Sequence, residues 1–227
     1  MRRALRIALA ATAIVFAMLS YTWVTLPDVH ALAKTPPPST AFMRMREAQA
    51  AAQDRTPRRR HQWVSYDRIS PNLKRAVQVA EDAAFWEHQG LDFDEIRASL
   101  ESNWERGEFA RGASTITQQL AKNLYLSPSR NPYRKVRELF ITRRLEAELS
   151  KRRIFELYLN LIEWGDGIWG AQAASLVYFG IPASDLNQTQ AALLAGAIIN
   201  PRVYSPARPN ARLLRRQQII LSRMGSE

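Results

Sequence analysis

The 227-residue sequence contains no cysteine, so disulfide scaffolds and zinc sites built from cysteine are excluded. It has no internal repeat, and no run of alternating polar and apolar residues is long enough to predict a sheet. Hydrophobic residues make up 46% of the chain, which excludes the low-hydrophobicity composition of disordered chains. The length suits one domain plus an additional segment.

Positive charge is unevenly distributed along the chain. The formal net charge is +11, of which residues 1–60 carry +7, residues 61–110 carry −5 and residues 111–153 carry +8. A basic stretch beside an acidic one indicates a localised site for an anionic ligand. Nucleic-acid binding is disfavoured, because most of the net charge belongs to the amino-terminal segments.

The amino terminus has the pattern of a membrane anchor. Arg2, Arg3 and Arg6 precede an uncharged run over residues 7–26, which is long enough to cross about 30 Å of hydrocarbon as a helix. The positive-inside rule places residues 1–6 in the cytoplasm and exports the rest of a single-pass protein. A cleaved signal peptide is the alternative, since residues 31–33 read Ala-Leu-Ala.

Residues 27–62 are predicted to be a linker, and residues 63–227 the exported domain. The stretch from residue 34 to residue 60 contains three consecutive prolines and three consecutive arginines, without spaced large apolar residues. The pattern favours a solvated tether. A basic juxtamembrane segment held near anionic lipid is the alternative.

The exported domain is predicted to be mainly α. Ser70-Pro71 is typical of a helix start, and a second helix carries the apolar stripe Phe93, Ile96, Leu100 and Trp104 and stops at Gly107. Thr115 and Gln118 have the spacing of a capping box. Further helices are expected at 133–148, from a Ser150 cap to residue 161, before Gly180, from Asn187 to Asn200-Pro201, and after Pro209.

The first chemical pattern lies at residues 81–90, which read Glu-Asp-Ala-Ala-Phe-Trp-Glu-His-Gln-Gly. Apolar neighbours and the adjacent Asp82 would both raise the pKa of Glu81, as a general base requires. In the alternative, Glu81 lies on the solvated face of its helix and His88 caps the end.

The second pattern lies at residues 112–123, where glycine, hydroxyl and amide side chains gather at a helix start that favours an anion. Lys122 lies one turn beyond Gln118 on the same face. An ordinary capped amphipathic helix is the alternative.

The third pattern joins Arg134 and Lys135 to Glu138. Arginine offers a forked grip and lysine a point charge, a combination suited to a diphosphate with a second carboxylate nearby. A weak surface salt bridge is the alternative. Two further patterns, at residues 151–160 and 165–180, favour core and turn roles over direct chemistry.

Together and in this order, the five patterns resemble the glycosyltransferase family 51 domain of peptidoglycan synthesis. The resemblance covers roughly residues 66–224, and its most specific part is Gly-x-Ser-Thr-Ile-Thr-Gln-Gln-x-x-Lys-Asn at 112–123. The chain is expected to belong to the short, monofunctional class, which it resembles in having no Ser-x-x-Lys nucleophile of a transpeptidase after the domain. Ile181 departs from the pattern, where lysine commonly follows Tyr-Phe-Gly; only a peripheral contact is put in doubt.

The resemblance implies a lysozyme-like helical fold at the outer face of the bacterial inner membrane, and an enzyme that polymerises lipid II with inversion. Glu81 would deprotonate the acceptor 4-hydroxyl, and Glu138 would assist departure of undecaprenyl diphosphate. No cofactor is certain, although a divalent cation (Mg²⁺ or Mn²⁺) near Glu138 is an open possibility. The implied substrate-binding residues are Asp82, Phe85, His88, Gly112, Ser114, Thr115, Gln118, Gln119, Lys122, Asn123, Arg134 and Lys135.

The implied partners are lipid II, the nascent glycan strand, the membrane and other cell-wall synthesis proteins. The Phe93 stripe is either core or, as the resemblance implies, a mobile jaw that dips into the bilayer. A lysozyme-like lytic enzyme and a non-catalytic wall-binding scaffold are the rival functions, but neither needs the cationic set Lys122, Arg134 and Lys135.

Overall fold

Helices form most of the structure, a computed structural model that describes residues 2–106, 114–127 and 131–225. The α-helices within these ranges are α1 (Arg2–Val24), α2 (Ala41–Ala51), α3 (Pro71–Glu81), α4 (Phe93–Arg106), α5 (Ile116–Tyr125), α6 (Tyr133–Glu148), α7 (Lys151–Leu161), α8 (Ala171–Phe179), α9 (Gln188–Ala197) and α10 (Ala211–Met224). Three short 3₁₀ helices, His30–Ala33, Tyr66–Arg68 and Ala183–Asp185, connect them.

Helix starts follow local capping chemistry, and the predicted ones are confirmed. Ser70 caps α3 with Pro71 at its first position, and Ser150 caps α7. Thr115 and Asn187 each form a complete capping box, at α5 and α9. The prediction that α9 continues to Asn200 is wrong, because the residues after Ala197 form turns ahead of Pro201, which disfavours helical backbone in the residue before it.

A small sheet corrects the expectation of a domain without strands. Strands β1 (Arg60–His61), β2 (Glu163–Gly165) and β3 (Ile168–Trp169) pair in the order β1-β3-β2. Strand β3 is antiparallel to β2 and parallel to β1, which lies about a hundred residues earlier in the chain. Such short strands have no detectable alternation, so their pairing is invisible in the sequence.

The amino-terminal helix α1 is long and apolar enough to cross a membrane, by length and composition. Most of its surface is exposed, as expected of an element whose apolar side chains face a medium other than the protein. Its last turn contacts α6: the hydroxyls of Thr22 and Tyr133 lie 2.6 Å apart, and Arg137 donates to both oxygens of Thr25 at 3.0 Å.

The segment after α1 packs on the domain as far as α2, so the interpretation as a solvated tether is wrong for this part, whereas residues 51–60 are exposed. Val29, Leu32 and Met43 are buried in the main core, and Thr40 caps α2, a helix that sequence reasoning missed. Arg153 of α7 donates to the carbonyl of Leu32 at 2.7 Å. Few but large apolar residues are enough to hold this segment, and the domain boundary at residue 63 stays a prediction.

Helix α7 runs through the middle of the core. Its residues from Phe155 to Leu161 are buried apart from Glu156, and α5 and α8 pack against it. Helix α9 packs on α3 and α10, and α5 also packs on α6. This packing brings the end of α3, one face of α5 and the start of α6 to the same region.

Helix α4 does not bury its apolar stripe. Phe93 is 69% exposed and Leu100 is 61% exposed, which overturns the core interpretation for these two residues. The side chain of Trp104 and the predicted stop at Gly107 lie outside the described residues.

Candidate functional site

Glu81 is the last residue of α3, where a helix with a buried apolar face ends against α5. Leu73, Ala76 and Val77 anchor that face in the core and fix the position of the helix end. The partly buried carboxylate of Glu81 accepts a hydrogen bond from the Gln119 side chain of α5, Nε2 to Oε2, at 2.9 Å. The solvated-face alternative for Glu81 is therefore wrong.

The electrostatic surroundings of Glu81 suit a base. Burial raises the pKa of its carboxyl, and the charge of Asp82 raises it further, while the Gln119 hydrogen bond and the charges of Arg216 and Lys122 lower it. Burial has the largest effect, so the net pKa is raised. A carboxylate with a raised pKa takes a proton more readily than an exposed one.

Both carboxylate oxygens of Asp82 have partners within the protein. One carboxylate oxygen lies 2.9 Å from Nε2 of His88, and the other accepts from the backbone N–H of Ile116 at 2.9 Å. Nδ1 of His88 in turn accepts from the backbone N–H of Gly90 at 3.1 Å. These bonds join the loop after α3 to the start of α5, so the contacts of Asp82 and His88 support a structural role.

Phe85 is fully buried and belongs to an aromatic cluster under the same loop. Its ring centroid lies 5.3 Å from that of Phe155, and Nζ of Lys151 lies 4.3 Å from its centroid. Lys151 also pairs with Glu146 at 2.9 Å. The structure places Phe85 in the core, without an exposed surface for a substrate.

Side chains at the start of α5 cap its free backbone N–H groups. The hydroxyl of Thr115 accepts from the backbone N–H of Gln118, and the Gln118 side chain accepts from the backbone N–H of Thr115 at 3.0 Å. Thr115 also donates to the carbonyl of Gly90 at 2.7 Å. Thr115 and Gln118 are thus buried helix caps, whereas Ser114 is exposed beside them and Gly112 lies outside the described residues.

The next turn of α5 carries the side chains that face Glu81. Gln119 donates to Glu81, Lys122 follows three residues later, and Asn123 is buried with Nδ2 donating to the Gln119 carbonyl at 2.8 Å. Of the residues predicted on this helix, Gln119 and Lys122 therefore reach the candidate site, and Asn123 supports the helix.

Lys122 interacts electrostatically with both carboxylates, Glu81 and Glu138. Burial lowers the pKa of its ammonium, the charges of Arg134 and Lys135 lower it further, and the charges of Glu138 and Glu81 raise it. One ammonium group thus interacts both with Glu81 and with the charged groups of α6.

Helix α6 supplies the second carboxylate. Glu138 is only 3% exposed, one of its oxygens contacts Nζ of Lys135, and the other lies 3.4 Å from Nη1 of Arg134. The lysine side chain is itself 57% exposed. The buried carboxylate thus holds two basic side chains in place, which is more than the weak surface pair that was the alternative.

The described residues include one group with the proximity of a metal site: Asp82, His88 and Asp92, whose potential ligand atoms lie within 4.8 Å of one another. Their atoms already have partners, since Asp82 and His88 bind each other and Asp92 accepts from the backbone N–H of Glu95 at 2.8 Å. Both oxygens of Glu138 contact cations. The contacts of these groups therefore fit helix capping and ion pairing better than metal ligation.

Two cavities of about 550 and 540 Å³ lie elsewhere on the described surface. Arg46, Glu163 and Arg202 contribute to the first, and Arg59, His61 and Leu176 to the second. Neither is lined by Glu81, Lys122 or Glu138.

Sequence reasoning missed two residues near Glu81. Arg216 of α10 lowers the pKa of Glu81 by its charge, and its Nε donates to the Gly196 carbonyl at 3.1 Å. Tyr158 of α7 donates from its hydroxyl to Oε1 of Gln119 at 2.9 Å. Arg216 is one of several arginines in an amphipathic helix and has no local signal, whereas Tyr158 stands within the pattern at 151–160.

Comparison with known proteins gives the family. Residues 44–225 match the family described as Transglycosylase. The chain is a transglycosylase-family member. It is 50% identical to a biosynthetic peptidoglycan transglycosylase of Laribacter hongkongensis over 83% of this chain and 82% of the relative. A protein of the same name from Chromobacterium violaceum is 47% identical over 93% of both chains.

Membership of the transglycosylase family confirms the resemblance inferred from the five motifs. The mainly helical, lysozyme-like fold is confirmed as well, with one amino-terminal helix that can serve as a membrane anchor. The family match begins at residue 44, inside the segment predicted to be a linker. This start agrees with the burial of Met43 and its neighbours in the core.

Proposed function

We propose that this transglycosylase-family chain is a peptidoglycan glycosyltransferase that polymerises lipid II into β-1,4-linked glycan strands. The observation that carries the proposal is that Lys122 interacts electrostatically with two carboxylates: Glu81, whose pKa is raised, and Glu138, which is buried and bound to two basic side chains. The names of the relatives support peptidoglycan as the substrate class.

Glu81 acts as the general base in this proposal. It takes the proton from the 4-hydroxyl of the acceptor sugar while that oxygen attacks the anomeric carbon of the donor, with inversion. Gln119 holds one carboxylate oxygen by a 2.9 Å hydrogen bond, which leaves the other oxygen to meet the hydroxyl. General-base catalysis of this kind typically contributes about 10²–10⁴-fold to the rate.

The cations of α5 and α6 act on the leaving group. Lys122, Arg134 and Lys135 stabilise the negative charge that develops on the diphosphate as its bond to the sugar breaks. Glu138 assists this departure through its basic neighbours, because each of its oxygens contacts one of them. A role for Mg²⁺ or Mn²⁺ stays a prediction from the sequence.

The residues predicted to bind substrate fall into two groups in this proposal. Ser114, Gln119, Lys122, Arg134 and Lys135 are proposed to contact lipid II. Direct substrate contact by Asp82, Phe85, His88, Thr115, Gln118 and Asn123 stays a prediction that their protein contacts do not favour, and Gly112 is not described.

The proposed location is the outer face of the bacterial inner membrane. Helix α1 would be retained as a single-pass anchor with the arginines of residues 2–6 in the cytoplasm. The exposed Phe93 and Leu100 of α4 fit a surface that touches the bilayer, where the polyprenyl tail of the substrate lies. Association with other wall-synthesis proteins stays a prediction.

A polymerisation assay tests the function. Detergent-solubilised wild type, Glu81→Gln and the control Glu87→Gln, an exposed glutamate in the loop that follows α3, are each incubated with labelled lipid II. Polymer is separated from monomer on a gel. We expect lysozyme-sensitive polymer from the wild type and the control, blocked by the phosphoglycolipid moenomycin, and almost none from Glu81→Gln.

The other outcomes distinguish the rivals. Shortening of preformed glycan would identify a lytic enzyme, and a folded wild type that neither makes nor cuts glycan would favour a scaffold. Polymer from Glu81→Gln at most of the wild-type rate would remove Glu81 as the base.

A further inference from the structure

Two hydrogen bonds connect the buried core to the candidate base. The hydroxyl of Tyr158 donates to Oε1 of Gln119 at 2.9 Å, and Nε2 of the same amide donates to Oε2 of Glu81 at 2.9 Å. The three side chains come from α7, α5 and α3, so the chain of bonds crosses three helices.

Tyr158 is more deeply buried than Gln119 and Glu81. Its side chain is fully buried on the central helix, between Leu157 and Leu159, which are also fully buried. Burial raises the pKa of its hydroxyl well above the ordinary value, and the charges of Glu81 and Asp82 raise it further. The hydroxyl therefore keeps its proton and stays a donor.

A permanent donor at Oε1 determines which way the Gln119 amide faces. An amide has one oxygen that accepts and one nitrogen that donates, and the two ends are nearly equal in shape. With Oε1 held by Tyr158, the nitrogen must face Glu81. In the reversed orientation Oε1 would point at the carboxylate and repel it, and the Tyr158 hydroxyl proton would lose its acceptor.

We propose that Tyr158 is a positioning residue that orients the Gln119 amide toward Glu81 and so keeps the base in its ionised form over the working pH range. This proposal rests on the proposed function. Tyr158 itself does not touch the substrate, and its effect is transmitted by one amide group.

The direction of the effect follows from the groups that face Glu81. Burial and the charge of Asp82 favour the protonated carboxyl of Glu81. Three groups favour the carboxylate: Gln119 and Lys122 on α5, and Arg216 on α10. Tyr158 interacts with Glu81 from α7, and Glu138 interacts with Lys122, which also interacts with Glu81.

Removal of the Tyr158 hydroxyl weakens one of the three interactions that favour the carboxylate, the hydrogen bond from Gln119. The amide of Gln119 then keeps only the contacts of its nitrogen, with Glu81 at 2.9 Å and the Ser114 carbonyl at 3.5 Å. Its orientation is held less firmly, the hydrogen bond to Glu81 is made less often, and the pKa of Glu81 rises. The rate falls at pH values below the pKa of the base, where Glu81 is protonated. This acid limb of the pH–rate profile therefore moves to higher pH.

The experiment compares Tyr158→Phe with Tyr178→Phe across pH in the lipid II polymerisation assay. Tyr178 is the matched control, since its hydroxyl donates to the Trp164 carbonyl at 3.2 Å and takes no part in the chain to Glu81. For Tyr158→Phe we expect the limb in kcat/KM to move to higher pH. Activity on the acid side should fall by up to about tenfold, the limit set by complete loss of the hydrogen bond from Gln119 to the charged Glu81, and should recover at high pH.

Gln119→Met and the double variant Gln119→Met/Tyr158→Phe complete the test. We expect Gln119→Met to shift the limb in the same direction, and Tyr158→Phe to add nothing in its presence, because the amide that transmits the effect is gone. Equal loss of rate at every pH would show that Tyr158 only supports the fold and would overturn the proposal.

If Tyr158→Phe does not fold, Gln119→Met interrupts the same chain at its middle. An unmoved acid limb in that variant then overturns the proposal. A wild type without polymerase activity would instead contradict the proposed function, so the two failures are distinguishable.

Discussion

A carboxylate oxygen of Asp82 accepts a hydrogen bond from the backbone N–H of Ile116 at 2.9 Å, across 34 residues of sequence. The bond satisfies one of the free N–H groups at the start of α5 and places a negative charge at the positive end of that helix. It connects the residue next to Glu81 to the first residue of α5, the helix that carries Gln119. The first two sequence motifs meet through this bond.

Asp82→Ala is expected to lower stability. The substitution removes the bonds to Ile116 and His88, at a cost of about 2–3 kcal/mol, and should lower the melting temperature by about 5–10 °C. Thermal melting followed by circular dichroism in detergent measures it. Glu87→Ala, an exposed carboxylate in the same loop, should melt like the wild type; equal melting of Asp82→Ala would contradict the structural role.

Glu138→Gln is expected to reduce turnover by about 100-fold with little change in fold. The amide cannot hold both Lys135 and Arg134 as the carboxylate does, so the cations lose their fixed positions toward the leaving group. Initial rates with labelled lipid II measure the loss. Glu148→Gln, at the other end of the same helix and paired with Arg144, should retain the wild-type rate; similar losses in both variants would argue against a specific role.

Arg134→Ala is expected to weaken moenomycin binding by about 10–100-fold, because the guanidinium supplies charge-assisted bonds to a phosphate. Arg134→Lys should recover part of the affinity, since it keeps the charge and loses the fork. Displacement of a fluorescent moenomycin derivative measures binding, and the exposed Arg143 on the same helix provides the control Arg143→Ala. Undiminished affinity in Arg134→Ala would separate this arginine from the phosphate site.

Glu81→Gln is expected to increase stability at neutral and alkaline pH. Because the pKa of Glu81 is raised in the folded state, the folded protein binds this proton more tightly than the unfolded chain does. Its stability contribution is therefore present at low pH and is lost as pH rises through the folded-state pKa. The variant has no such loss, so its melting temperature should exceed that of the wild type at pH 8 and approach it near pH 4. A difference that does not change with pH would contradict the raised pKa.

Local sequence signals predicted the helix starts, and the motifs predicted the residues of the candidate site. A cap joins residues two or three apart, as Ser70 does with Asn72 and Thr115 with Gln118, so the signal is local and readable. The helix at residues 133–148 was predicted with the bounds that the structure has. The motifs also predicted the family correctly, because their spacing reflects contacts that the structure makes.

Packing between distant segments determines which of those motif residues face one another, and this could not be predicted from local patterns. Asp82, Phe85 and Thr115 carry the same local signal as Glu81 and Gln119, yet packing turns the first three into the core and brings the other two together. The contributions of Tyr158 and Arg216, the pairing of β1 with β3 and the burial of Val29 depend on contacts between distant segments. Such contacts result from the burial of apolar surface across the whole chain, which no local pattern encodes.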